Sequence, residues 1–78
     1  MRKGQMQKQE RLRRKKQEKE HKACMEELAQ TLAALHTNDA QYEQASEKSY
    51  IEQLIYQHAA LMCRSRAIYR TLRSEERL

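Results

Sequence analysis

Proline, phenylalanine and tryptophan are absent from this 78-residue chain, and glycine occurs once. Without proline, and with a single glycine, little is available for tight turns, sheet corners or a phosphate-cradling loop. Without Phe or Trp the largest aromatic core anchors are missing as well. The two cysteines, Cys24 and Cys63, are too few and too far apart in sequence for a disulfide framework. Neither belongs to a CxxC or to a Cys/His cluster of zinc-ligand spacing, so both are expected as reduced thiols that pack like small apolar side chains. No metal or cofactor is expected. No run approaches the roughly 18 to 20 apolar residues of a membrane span. No apolar stretch follows the basic start as a signal peptide would require, and a cytoplasmic location is expected.

What remains is a helical composition. Gln, Glu, Lys, Arg, Ala and Leu dominate, with 35% of residues charged against 38% hydrophobic. The length is about half that of one ordinary domain, which excludes a large single-chain enzyme. The net charge of +5 is unevenly placed. Residues 1–22 carry ten basic and three acidic side chains, a net +7, and residues 23–63 carry Lys48 against six acids, a net −5. Residues 64–78 carry five Arg against two Glu, a net +3. The net charge permits attraction to nucleic acid, anionic lipid or an acidic protein, and its location matters more than its total: a basic tail, an acidic middle and a basic end.

Residues 1–22 offer only Met1, Met6 and Leu12 as apolar side chains, too few for a buried face. This segment is expected to be a solvated basic arm, helical or disordered. From residue 23 the pattern changes. Met25, Leu28, Leu32 and Leu35 recur at helical spacing, with Tyr42 in the same register beyond a slot filled by Asp39. Cys24, Ala29 and Thr31 widen that stripe. Thr37, Asn38 and Asp39 weaken a helix, yet the register survives them, so one unbroken helix is expected over about 23–44. A turn is expected over 45–49, where Ser46 or Ser49 can act as the N-cap and Ser49 and Glu52 have capping-box spacing, followed by a second helix over about 50–74. On it Ile51, Ile55, His58, Met62, Ser65, Tyr69 and Leu72 alternate steps of four and three, flanked by Leu54, Leu61 and Ile68.

Two helices with a short connection predict an all-α fold, an antiparallel two-helix hairpin over 23–78. One hairpin leaves part of each stripe wet. Burial against a second copy or a heteromeric helical partner is therefore expected, through Leu28, Leu32, Leu35, Tyr42, Ile51, Leu54, Ile55, His58, Leu61, Met62, Ile68, Tyr69 and Leu72. Catalysis is not expected. His21, His36 and His58 are scattered, and no nucleophile is placed beside a base and an orienting third group. His58, on the apolar face, reads as an interface or core imidazole. Tyr42 and Tyr69 read as core residues with a hydroxyl reaching water, and Tyr56 as a rim contact. No small-molecule substrate is implied.

The arm residues Arg11, Arg13, Arg14, Lys15, Lys16 and Lys19 are the candidates for phosphate contact with nucleic acid. A basic run beside a heptad stripe resembles the layout of leucine-zipper transcription factors, but no base-reading residues are interspersed at that family's spacing. The arm also lacks the large apolar residues that would insert into a membrane surface.

Over Tyr42 to Arg73 the chain resembles the small YaaL-like helical proteins of Firmicutes. The residues that carry the resemblance are Tyr42, then Ile51-Glu52-Gln53-Leu54-Ile55-Tyr56, then Ala60, Arg64 and Ile68-Tyr69-Arg70. The family's Asp-Pro at the turn is missing from Glu47-Lys48-Ser49, and the long basic arm is additional to it. The resemblance implies a cytosolic bacterial helical hairpin and brings no catalytic residue, cofactor or substrate. Tyr42-Glu43-Gln44 and Ile51-Glu52-Gln53 are also similar to the small hairpin co-chaperones of type III secretion needle subunits, which hide a partner's apolar face.

Overall fold

The computed structural model describes the backbone of residues 2–76 and side chains from Met6 to Glu75. It consists of two helices, α1 over Arg2–Gln44 and α2 over Lys48–Glu76, folded back on each other as an antiparallel hairpin. Among the described residues there is no strand, and no helix is long and apolar enough to cross a membrane. The molecule measures 69 × 17 × 15 Å. Its radius of gyration is 19.4 Å, where a compact domain of this length has about 12 Å.

Helix α1 passes through Thr37, Asn38 and Asp39 without a break. The hydroxyl of Thr37 donates to the Ala33 carbonyl at 3.1 Å, and that of Thr31 to the Glu27 carbonyl at 2.8 Å, so both polar side chains bond back along their own helix. The connection is three residues, 45–47, shorter than the expected five. Ala45 N–H closes a tight turn onto the Tyr42 carbonyl at 3.3 Å. No described residue takes a positive φ, so the chain reverses without needing glycine.

The start of α2 differs from the expected cap. Ile51 N–H donates to the Glu47 carbonyl at 3.0 Å, which makes Glu47 the capping residue. Ser49, the expected cap, lies inside the first turn and donates its hydroxyl to the Glu47 carboxylate. Its spacing to Glu52 has the capping-box form, but the helix begins too early to use it.

The two helices meet along a narrow seam. On α1 it follows Cys24, Leu28, Thr31, Leu35 and Asn38, and on α2 Ile51, Leu54, Leu61, Ser65, Ile68 and Leu72. These alternate steps of three and four, with the His58 position as the one gap on α2, as side-by-side antiparallel helices require. Among the described residues only Leu28, Leu54 and Ile68 are buried apolar residues, and Leu54 alone is fully enclosed. Thr31, Asn38 and Ser65 fill the polar places in the seam. From Met6 to Ala23 every side chain is exposed. The pair His21–Glu75 marks where α2 ends, so α1 extends alone for roughly 25 Å beyond it.

Candidate interaction face

The seam phase divides the expected face into two sets. Leu28, Leu54 and Ile68 are buried between the helices, and Leu35, Ile51, Leu61 and Leu72 are partly covered there. Leu32, Tyr42, Ile55 and Tyr69 are instead 44 to 50% exposed, as is Met25 at 45%. Met62 is half-buried, and Tyr56 points into solvent. The expectation that Tyr42 and Tyr69 are core residues within the hairpin is therefore corrected. The seam of α1 runs one residue earlier than the apolar stripe suggested, through Thr31 and Asn38 instead of Leu32 and Asp39.

The outer set is not scattered. Met25, Leu32 and Asp39 each directly follow a seam residue of α1, and Ile55, Met62 and Tyr69 each directly follow a seam residue of α2. In an antiparallel pair, residues that follow the seam in this sense lie on the same side of both helices. The result is a ribbon along one broad side, apolar except at Asp39, level by level: Met25 with Tyr69, Leu32 with Met62, and Asp39 with Ile55. At the turn end it opens into a shallow groove of about 230 Å³ lined by Asn38, Asp39, Tyr42, Leu54, Ile55 and His58. His58 Nδ1 lies 3.6 Å from the Asp39 carboxylate, both largely exposed, so the imidazole is at the rim of the ribbon and not in a core.

The opposite broad side carries charged and polar side chains interspersed with small ones, Ala23 and Ala67 among them. Arg64 donates to the Glu27 carboxylate at 2.6 Å across the two helices, and Glu20, Glu27, Arg64 and Thr71 line the groove there. At the far end His21 meets Glu75 at 2.9 Å. Exposed pairs of this kind contribute at most about 1 kcal/mol each. They fix register more than they stabilise.

Sequence reasoning missed Asn38. By propensity it weakens the helix, yet it is 2% exposed and its side-chain amide donates to the Leu54 carbonyl of α2 at 3.1 Å, with Gln57 Oε1 at 3.5 Å. Its position midway between Thr31 and Ala45, seven residues from each, was the available signal.

Cys24 and Cys63 are both free. Cys24 is half-buried in the seam as expected, whereas Cys63 is exposed on the outer side of α2, contrary to its expected packing. Burial, with the Glu75 and Glu27 carboxylates nearby, pushes the Cys24 thiol above its ordinary range. At pH 8 iodoacetamide should therefore alkylate Cys63 at least about threefold faster than Cys24, and the gap should narrow as pH rises and Cys24 ionises. Peptide mass spectrometry of a time course measures both rates, and equal rates would contradict the seam position of Cys24.

Among the described residues no group of three or more His, Cys, Asp or Glu side chains is arranged to hold a metal ion. The arm candidates Arg11, Arg13, Arg14, Lys15, Lys16 and Lys19 are all exposed on the unaccompanied part of α1, with Lys19 near the level where α2 ends. No protein-family model, curated protein or solved structure matches the chain.

Proposed function

We propose that this protein is a small, non-enzymatic interaction module of the cytoplasm that buries an apolar helical face against a second copy or a helical partner. The observation that carries this reading is the ribbon of Met25, Leu32, Ile55 and Tyr69, exposed along one side around a half-buried Met62, while the other side carries charged, polar and small residues without large exposed apolar ones. Contiguous apolar surface of this kind marks interaction sites on small proteins. A two-helix hairpin is also what the YaaL-like resemblance implies, and the co-chaperone-like resemblance adds a hairpin that hides a partner's apolar face.

A second reading is favoured by the exposed arm with its net +7, which suits phosphate contact by an accessory protein on nucleic acid. The two readings separate cleanly. Light scattering and pull-down on the wild type, Leu32→Asp and Met62→Lys should show association weakened about hundredfold or more by either change, because each puts a charge into the covered ribbon. Retention on heparin should persist in both variants and fall with salt. A wild-type chain that melts cooperatively as a monomer, binds no protein and is unaffected by Leu32→Asp would overturn the first reading. Retention on heparin that survives replacement of Arg11, Arg13, Arg14, Lys15, Lys16 and Lys19 by Gln together would overturn the second.

A further inference from the structure

The apolar ribbon is bordered on each helix by one further row of exposed side chains, and the chemistry of these rows is graded along the molecule. On α1 the row is Lys15, Lys22, Ala29, His36 and Glu43, spaced by seven. On α2 it is Glu52, Ala59, Arg66 and Arg73, also spaced by seven. Both rows are acidic at the turn end, carry alanine in the middle and are basic at the other end. The small alanines flank the level of Leu32 and Met62, the centre of the ribbon.

We infer that the occupant of this face is a second copy of the same chain, laid end over end so that the turn of each hairpin lies beside the basic end of the other. The inference rests on the ribbon being an interface and assigns its partner and direction. A two-fold axis through the Leu32–Met62 level sets Leu32 on Leu32, Met62 on Met62 and Ile55 on Tyr69 of the second copy. It brings Lys22 to the height of Glu43, and Arg73 to the height of Glu52, in four symmetry-related pairs. The alternative face-to-face dimer, with both turns at one end, sets Glu43 beside Glu52 and Lys22 beside Arg73, all like charges. Both arrangements cover the same ribbon, with Asp39 set against Met25 when the copies lie end over end and against Ile55 when they lie face to face, so the charge rows decide between them. The resulting four-helix bundle covers the surface that a single hairpin leaves open, and a standard interface needs only about 800 Å² from each partner.

The full-length protein tests this directly. A zero-length carbodiimide cross-linker joins lysine amines to carboxylates within contact distance. Lys22 and Glu43 lie 21 positions apart on one straight helix, about 32 Å, so a Lys22–Glu43 cross-link arises only between copies. Mixed isotopically labelled protein should yield that cross-link in the dimer band. Glu43→Lys should weaken the dimer about threefold to tenfold by sedimentation equilibrium, and Lys22→Glu in the same chain should restore it. These residues are exposed, so hairpin folding is retained, which far-UV circular dichroism verifies. A dimer that lacks the cross-link, or one that Glu43→Lys tightens by pairing it with Glu52, overturns the end-over-end arrangement and leaves the ribbon reading standing. A monomer that binds a different protein through the ribbon, losing it on Leu32→Asp, overturns the second copy alone. A monomer indifferent to Leu32→Asp overturns both.

Discussion

Leu54→Ala should remove most of the helical signal at room temperature. Among the described residues Leu54 is the one large side chain fully enclosed by the hairpin, at 1% exposed, and its only buried apolar companions are Leu28 and Ile68. Truncating an enclosed leucine costs about 2 to 5 kcal/mol, which includes the cavity left behind. In a large core that loss is one among dozens. Here it removes one of three buried apolar side chains from a fold whose whole stability falls within about 5 to 15 kcal/mol. Helices of this composition are marginal once separated, because their stability comes from the packed face and not from propensity. Thermal melts by circular dichroism should therefore show a midpoint lowered by tens of degrees or no cooperative transition, whereas Tyr56→Ala, on a side chain 77% exposed, should move the midpoint by no more than a few degrees. Equal effects from the two changes would mean that Leu54 is not at the centre of the seam.

The two helices and their antiparallel pairing were legible in the sequence because the apolar spacing changes character at residue 23 and again at the turn. The phase of the seam was not. On α2 two tracks of alternating threes and fours pass through the same residues: Ile51, Leu54, His58, Leu61, Ser65, Ile68 and Leu72, or Ile51, Ile55, His58, Met62, Ser65, Tyr69 and Leu72. Both are apolar, so periodicity alone cannot choose between them, and a helix with three apolar positions in seven has a face wider than one neighbour can cover. The choice belongs to the pair of helices. When α1 offers Leu28, Thr31 and Asn38, α2 answers with Leu54, Ser65 and Ile68, and the second track is left outside. On α1 the leucine at 32 drew attention to the wrong row, because a seam that includes threonine and asparagine does not stand out by hydropathy. The same width that hid the phase is what supplies the ribbon. The cap at Glu47 was obscured for a local reason: Ser49 has the spacing of a capping residue, but the chain turns two residues earlier.

Asn38 provides the sharpest test of that phase, through Asn38→Asp, which keeps shape and removes the amide donor. At neutral pH the new carboxylate would sit at a site 2% exposed, against two acceptors, the Leu54 carbonyl and Gln57 Oε1. It could accept from neither, and an unpaired buried charge costs about 3 to 5 kcal/mol. The expected result at pH 7 is a loss comparable to that of Leu54→Ala. Desolvation and the facing acceptors both disfavour the ionised form, so the folded-state pKa of this aspartate would lie above its unfolded value of about 3.9. A raised folded pKa means that the folded protein holds the proton more tightly. The variant should therefore recover stability relative to the wild type as pH falls towards and below about 4, where a protonated carboxyl can donate to Leu54 as the amide does, and lose it again as pH rises. Urea melts of both proteins at pH 3.5, 5 and 7 measure this difference. An Asn38→Asp variant as stable as the wild type at pH 7, or one whose deficit grows on acidification, would mean that Asn38 faces water and that the seam runs along the other track.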